Sequence, residues 1–81
     1  METINSTLKG VYFQIHELKE YKEYGGYDFY YVTIYKRSEQ LHDKLIEGAE
    51  TNIFYSMEDI LDAIMIYEIR MLKAEREEVS K

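Results

Sequence analysis

The chain contains no cysteine, no proline and no tryptophan. Without cysteine, neither a disulfide framework nor a Cys-based zinc site can supplement its core, and a reducing, cytoplasmic setting is the expected one. Histidine is scarce. His16 and His42 belong to no HExxH, HxH or mixed Cys/His spacing, so no metal site is expected. Long apolar runs are missing as well. The longest, from Ala63 to Tyr67, falls far short of the ~20 residues that cross a bilayer. The amino terminus, Met-Glu-Thr-Ile-Asn, lacks the basic-then-apolar pattern of a signal peptide. The four serines form no GxSxG elbow, and Gly25-Gly26 is followed by neither GxGxxG nor a GK[ST] sequel. Paired carboxylates are frequent, but none is distinguished by its surroundings. The expectation is a non-enzymatic protein without a cofactor, in the cytoplasm and off the membrane.

What is present is a core and a charge. At 81 residues the chain has the length of one domain, 1–81, and at 46% hydrophobic and 15% aromatic it is no disordered segment. A chain this short buries only about 60% of its unfolded surface, so a lone copy has marginal stability. The formal net charge is −6, and it is concentrated. Between Ser38 and Ile69 stand eight acids and a single base, Lys44, while the other residues nearly balance. Such asymmetry speaks to partners and association rates rather than to fold.

Residues 1–8 read as a polar lead-in and 9–36 as a β-hairpin. Val11, Phe13 and Ile15 alternate with Tyr12, Gln14 and His16, as a half-buried strand requires. Gly25-Gly26 supplies the positive φ values of a tight turn. Tyr27 to Tyr35 is β-branched and aromatic on both faces, which predicts a central strand. For 38–48 the favoured expectation is a short helix, capped by Ser38, with Leu41 and Leu45 at i, i+4 and Gly48 as its stop. The alternative joins 44–50 to the next strand, 51–55, as a hairpin arm. Over 57–77 a long helix is predicted. Ser56 and Asp59 make a capping-box-like start, and Met57, Ile60, Ile64, Tyr67 and Met71 form one apolar stripe, flanked by Leu61 and Leu72. The predicted class is therefore α+β: an antiparallel sheet of two or three strands, a short helix, and a long C-terminal helix packed across the sheet.

That last helix is apolar on more than one side. At ~100° per residue, Ile66 and Ile69 point away from the core stripe and Met65 lies at its margin. One sheet covers one face of a helix, so Met65, Ile66 and Ile69 are the expected interface of a homodimer in which this helix packs on its twin. The short helix and the loops are the competing cover. Glu68, by its helical angle, falls inside the apolar arc between Leu61, Ile64 and Leu72. The commoner outcome for so long a side chain is to reach past the core edge to an Arg or Lys; if buried, it must pair or be neutralised.

The remaining acids are the candidate partner-binding surface: Glu39, Asp43, Glu47, Glu50, Glu58, Asp59 and Asp62. Glu39, Asp43 and Glu47 fall at i, i+4, i+8, and Glu58 and Asp62 repeat the interval. On a helix this sets carboxylates ~6 Å apart along one edge. Like charges so placed cost a helix a few tenths of a kcal/mol each, so the arrangement gains the fold nothing. Phosphates along nucleic acid have comparable spacing, and proteins that bind them do so through basic grooves. The competing reading is a solvated face that maintains solubility. In being short, acidic, cysteine-free, Tyr-rich and α+β, the chain resembles the small host-antagonist proteins of bacteriophages. That class includes DNA-mimic inhibitors of nucleoid-associated proteins and some anti-CRISPR proteins. The resemblance implies a stoichiometric inhibitor, acting in the host cytoplasm, that occupies the nucleic-acid-binding surface of a basic host protein such as a nucleoid-associated protein, CRISPR effector or transcription factor. Two rivals remain. One is single-stranded nucleic-acid binding by Lys9, Lys19, Lys22, Lys36 and Arg37 interleaved with Tyr12, Tyr21, Tyr24, Tyr27 and Tyr35. Glu17, Glu20, Glu23 and Asp28 cancel most of that field, so direct nucleic-acid binding is not expected. The other is a plain dimeric accessory protein with a solvated acidic face.

Overall fold

A computed structural model describes residues 1–18 and 29–79. It is an α+β fold in which a five-stranded antiparallel sheet carries one helix across a single face. The strands are β1 (Glu2–Asn5), β2 (Val11–Glu17), β3 (Tyr30–Lys36), β4 (Glu39–Leu41) and β5 (Ile53–Phe54), followed by α1 (Met57–Val79). The order runs β1-β2-β3-β4, with β5 also on β3. Strand β2 pairs along the whole of β3, from Val11 opposite Lys36 to Glu17 opposite Tyr30. The other edge of β3 is shared: Ile34–Lys36 pair with β4, and Tyr30–Tyr31 with β5. Strand β3 is thus central, as its two apolar faces predict. The Gly25-Gly26 turn, and the tyrosines and charges of 19–28, lie outside the described residues.

Alternation decides which face is buried. Val11, Phe13 and Ile15 of β2 and Val32 and Ile34 of β3 face the helix, which contributes Ile60, Ala63, Ile64 and Tyr67. Phe13 meets Tyr67 edge-on, with ring centroids 6.0 Å apart. Met57 and Met71 pack at the ends of the same stripe. At the helix start Ser56 Oγ accepts the Asp59 amide at 3.2 Å, with Glu58 and Asp59 in the positive first turn. The predicted helix 57–77 is present within these bounds.

Two expectations need correction. Residues 1–8 are more than a lead-in, because Glu2–Asn5 pair with Tyr12–Ile15 as an edge strand. Such a polar strand carries little burial signal of its own; its backbone partners supply it. The larger correction concerns 38–48, which forms no helix. Ser38 is consumed in a two-residue turn with Arg37, whose φ is 59°, so that Lys36 faces Glu39 across the hairpin. Leu41 then pairs opposite Ile34, while Leu45 enters the core from an irregular segment. The i, i+4 leucines do share a core, but they reach it from a strand and a loop. Nor is 44–50 a hairpin arm, although 53–54, inside the expected 51–55, is a strand. Gly48, at φ 82°, sits in a turn where the Ala49 amide donates to the Ile46 carbonyl.

Candidate interaction surfaces

Asn52 holds the irregular segment. Its buried side chain accepts the Leu45 amide at 2.9 Å and donates to the Asp43 carbonyl at 3.0 Å, while its own carbonyl takes the Val32 amide at 3.0 Å. From the helix, Tyr67 donates its hydroxyl to Asp43 at 2.7 Å, and Arg70 Nη2 donates to the Lys44 carbonyl at 2.6 Å. The Arg70 guanidinium also lies over the Tyr67 ring, 5.3 Å from its centroid. Its other terminal nitrogen is buried without an acceptor. Burial, then the hydrogen bond to Asp43 and that carboxylate's charge, push the Tyr67 hydroxyl well above its ordinary pKa, against the opposing charge of Arg70. The shift favours the neutral hydroxyl that donates to Asp43. Neither Asn52 nor Arg70 was marked by sequence reasoning; an Asn just before an apolar pair was the one available signal.

The fold redistributes the seven acids read as a partner surface. All seven side chains are exposed. Glu39 stands on β4, Asp43 beside it in the loop, Glu47 and Glu50 around the Gly48 turn, and Glu58, Asp59 and Asp62 on the first turns of α1. The Glu39–Asp43–Glu47 row along one helix edge does not exist, because there is no helix to carry it. Asp43 is engaged by Tyr67. Among the described residues the other six carboxylates make no ion pair and no side-chain hydrogen bond. On α1, Glu58 and Asp62 keep their i, i+4 relation.

Glu68 departs from that set, as its angle predicts. It accepts hydrogen bonds from Ser6 Oγ at 2.8 Å, the Thr7 amide at 2.7 Å, and the Thr7 hydroxyl. Burial alone would raise its pKa. The Thr7 hydroxyl and amide and the Ser6 hydroxyl together outweigh burial and hold it below the ordinary carboxylate value. The carboxylate thus fastens α1 to the β1–β2 turn, where Ser6 Oγ also caps the Leu8 amide at 3.0 Å.

The outward face of α1 is apolar and uncovered. Met65 and Ile66 are each 54% exposed and Ile69 48%, with Leu61 and Leu72 similarly open. Ile46, from the loop, lies beside Ile66 and Ile69, and Glu47, Arg70 and Lys73 rim the shallow groove between them. Neither candidate cover lies over them in the described chain: no short helix forms, and the loop adds only Ile46.

The sheet's other face carries aromatic pairs. Tyr12 and Tyr35 stack with centroids 5.1 Å apart and planes at 10°, and His16 lies 6.3 Å from Tyr31. His16 Nε2 is also 3.1 Å from the Thr33 hydroxyl, which donates to the Gln14 carbonyl. His16 is thus a member of a cross-strand hydrogen-bond set. Among the described residues no three His, Asp or Glu side chains cluster as a metal would need, and no helix is long and apolar enough to cross a membrane. Scans against protein-family models, curated proteins and solved structures return no match to this chain.

Proposed function

We propose that this chain is a non-catalytic binding protein that presents its acidic surface to the nucleic-acid-binding face of a basic host protein and displaces the nucleic acid. The observation that carries this reading is the idle state of six carboxylates. Glu39, Glu47, Glu50, Glu58, Asp59 and Asp62 are exposed and contribute no ion pair to the described fold. Asp43 and Glu68, by contrast, are held by donors of the chain itself. Of the eight acids between Ser38 and Ile69, two are used internally and six face water, which gives this segment a negative field available to a positive partner. The loss of the single helical row changes the form of the surface. It is a set of acids dispersed over a strand, a turn and a helix start, not a phosphate-like ladder.

The test starts from a bacterial lysate passed over the immobilised chain, with bound proteins released by a salt gradient. Expected is a basic nucleic-acid-binding protein whose DNA or RNA complex, in a gel shift, is dissolved by added chain. The triple variant Glu39→Lys, Glu47→Lys, Glu50→Lys should lose that competition by at least about tenfold, since each reversal turns attraction into repulsion. Competition undiminished in the triple variant would overturn the reading. So would direct binding of single-stranded DNA or RNA by the chain alone at low salt, which would assign the aromatic face of the sheet instead.

A further inference from the structure

The outward face of α1 has a charge order that reads in one direction. Along the helix it runs from acids at Glu58, Asp59 and Asp62, through Met65, Ile66 and Ile69, to Lys73 and Arg76, which alternate there with Glu75 and Glu77. At ~100° per residue Glu58, Asp62, Met65, Ile69, Lys73 and Arg76 fall within one arc opposite the Ile60–Ile64–Tyr67 stripe. We infer that this face binds a second copy of the chain, with the two helices antiparallel about a twofold axis passing between Ile66 and Ile69.

Three physical points favour this occupant over another. An antiparallel twin on that axis sets Ile66 of each helix against Ile69 of the other, and residue 62 against residue 73. Asp62 then faces Lys73 and Asp59 faces Arg76, each pair occurring twice because the interface is isologous; one like-charge pair, Glu58 with Glu77, opposes them. A parallel twin would instead bring acids against acids. Second, antiparallel packing also opposes the two helix dipoles. Third, the exposed apolar side chains Ile46, Leu61, Met65, Ile66, Ile69 and Leu72 offer on the order of 1,000 Å² to a pair, the lower bound for a stable interface. The affinity should therefore be modest and salt-sensitive. This inference narrows the proposed function, because three of its six idle acids, Glu58, Asp59 and Asp62, face the twin. Glu39 and Glu50 stay free for another partner, and Glu47 stands at the rim of the groove that the twin covers.

Sedimentation equilibrium on the full chain tests it with two charge reversals, Asp62→Lys and Lys73→Asp, both at exposed positions. Wild type should sediment at twice the 9.8 kDa chain mass. Each variant alone should dissociate at about tenfold higher concentration, as like charges meet at both ends of the interface. An equimolar mixture of the two should recover the wild-type association, since the heterodimer alone has both pairs complementary. A monomeric wild type at concentrations of hundreds of micromolar would overturn the inference, and so would a mixture no tighter than its components. Zero-length carbodiimide cross-linking of mixed ¹⁴N/¹⁵N wild type checks the register without any substitution. Residues 62 and 73 of one helix are ~16 Å apart, so an Asp62–Lys73 cross-link arises only between chains. A cross-linked dimer lacking that peptide would overturn the register.

Discussion

Glu68 contributes through donors that lie at the opposite end of the chain. Its helical angle was legible from the spacing of Leu61, Ile64 and Leu72; its partners were not, because nothing local links a helix residue to a turn at Ser6–Thr7. The hydrogen bonds that depress its pKa favour the ionised form in the folded state. The stability they supply is therefore complete above the ordinary carboxylate pKa of 4.5 and is lost as pH falls through the lower folded value. Glu68→Gln should cost about 1 kcal/mol at pH 7, a charge-assisted set discounted for its partial exposure. Urea titrations of both proteins should converge on acidification below the ordinary carboxylate pKa. A gap that stays constant from neutral to acid pH would refute a role for the charge.

The elements divide by whether their signal is local. Strands β2 and β3 and helix α1 carry their own periodicity, and they lie where alternation and the Ile60–Ile64–Tyr67 stripe predict. The segment between β4 and β5 has no period to read. Leu41 and Leu45 imitate a helical pair, yet the edge of β3 needs a partner, and β4 supplies it at Glu39–Leu41. What then replaces helical hydrogen bonds in the loop is the side chain of Asn52. Asn52→Ala should cost about 2–3 kcal/mol, since it strands the buried Leu45 amide without an acceptor. The urea midpoint should fall accordingly, with far-UV circular dichroism unchanged at zero denaturant. A loss below about 0.5 kcal/mol would mean that the loop is held by Leu45 and Arg70 instead. The candidate surface suffered from the same misreading. The acidic residues are exposed, but their alignment requires a helix that the sheet edge pre-empts.

At the scale of the whole molecule, the strands and the helix form one layer pair with an uncovered outer helix face, as expected of a chain too short to bury every side of a 23-residue helix. The charge that the sequence concentrates in 38–69 is spread by the fold over a strand, a turn and the beginning of a helix. That dispersion sets the acids on three separate elements instead of one helix edge.

The clasp between Glu68 and the β1–β2 turn also bears on time. It joins residues 62 apart in sequence, so almost the entire chain must be in place before it can close. A contact with so long a loop to close should be absent from the folding transition state and present when unfolding begins. Glu68→Gln should therefore accelerate unfolding in stopped-flow chevrons and leave the folding limb nearly unmoved; slowed refolding would instead place the clasp in the nucleus. The clasp of α1 on the β1–β2 turn should thus set how long the folded protein lasts rather than how quickly it is reached.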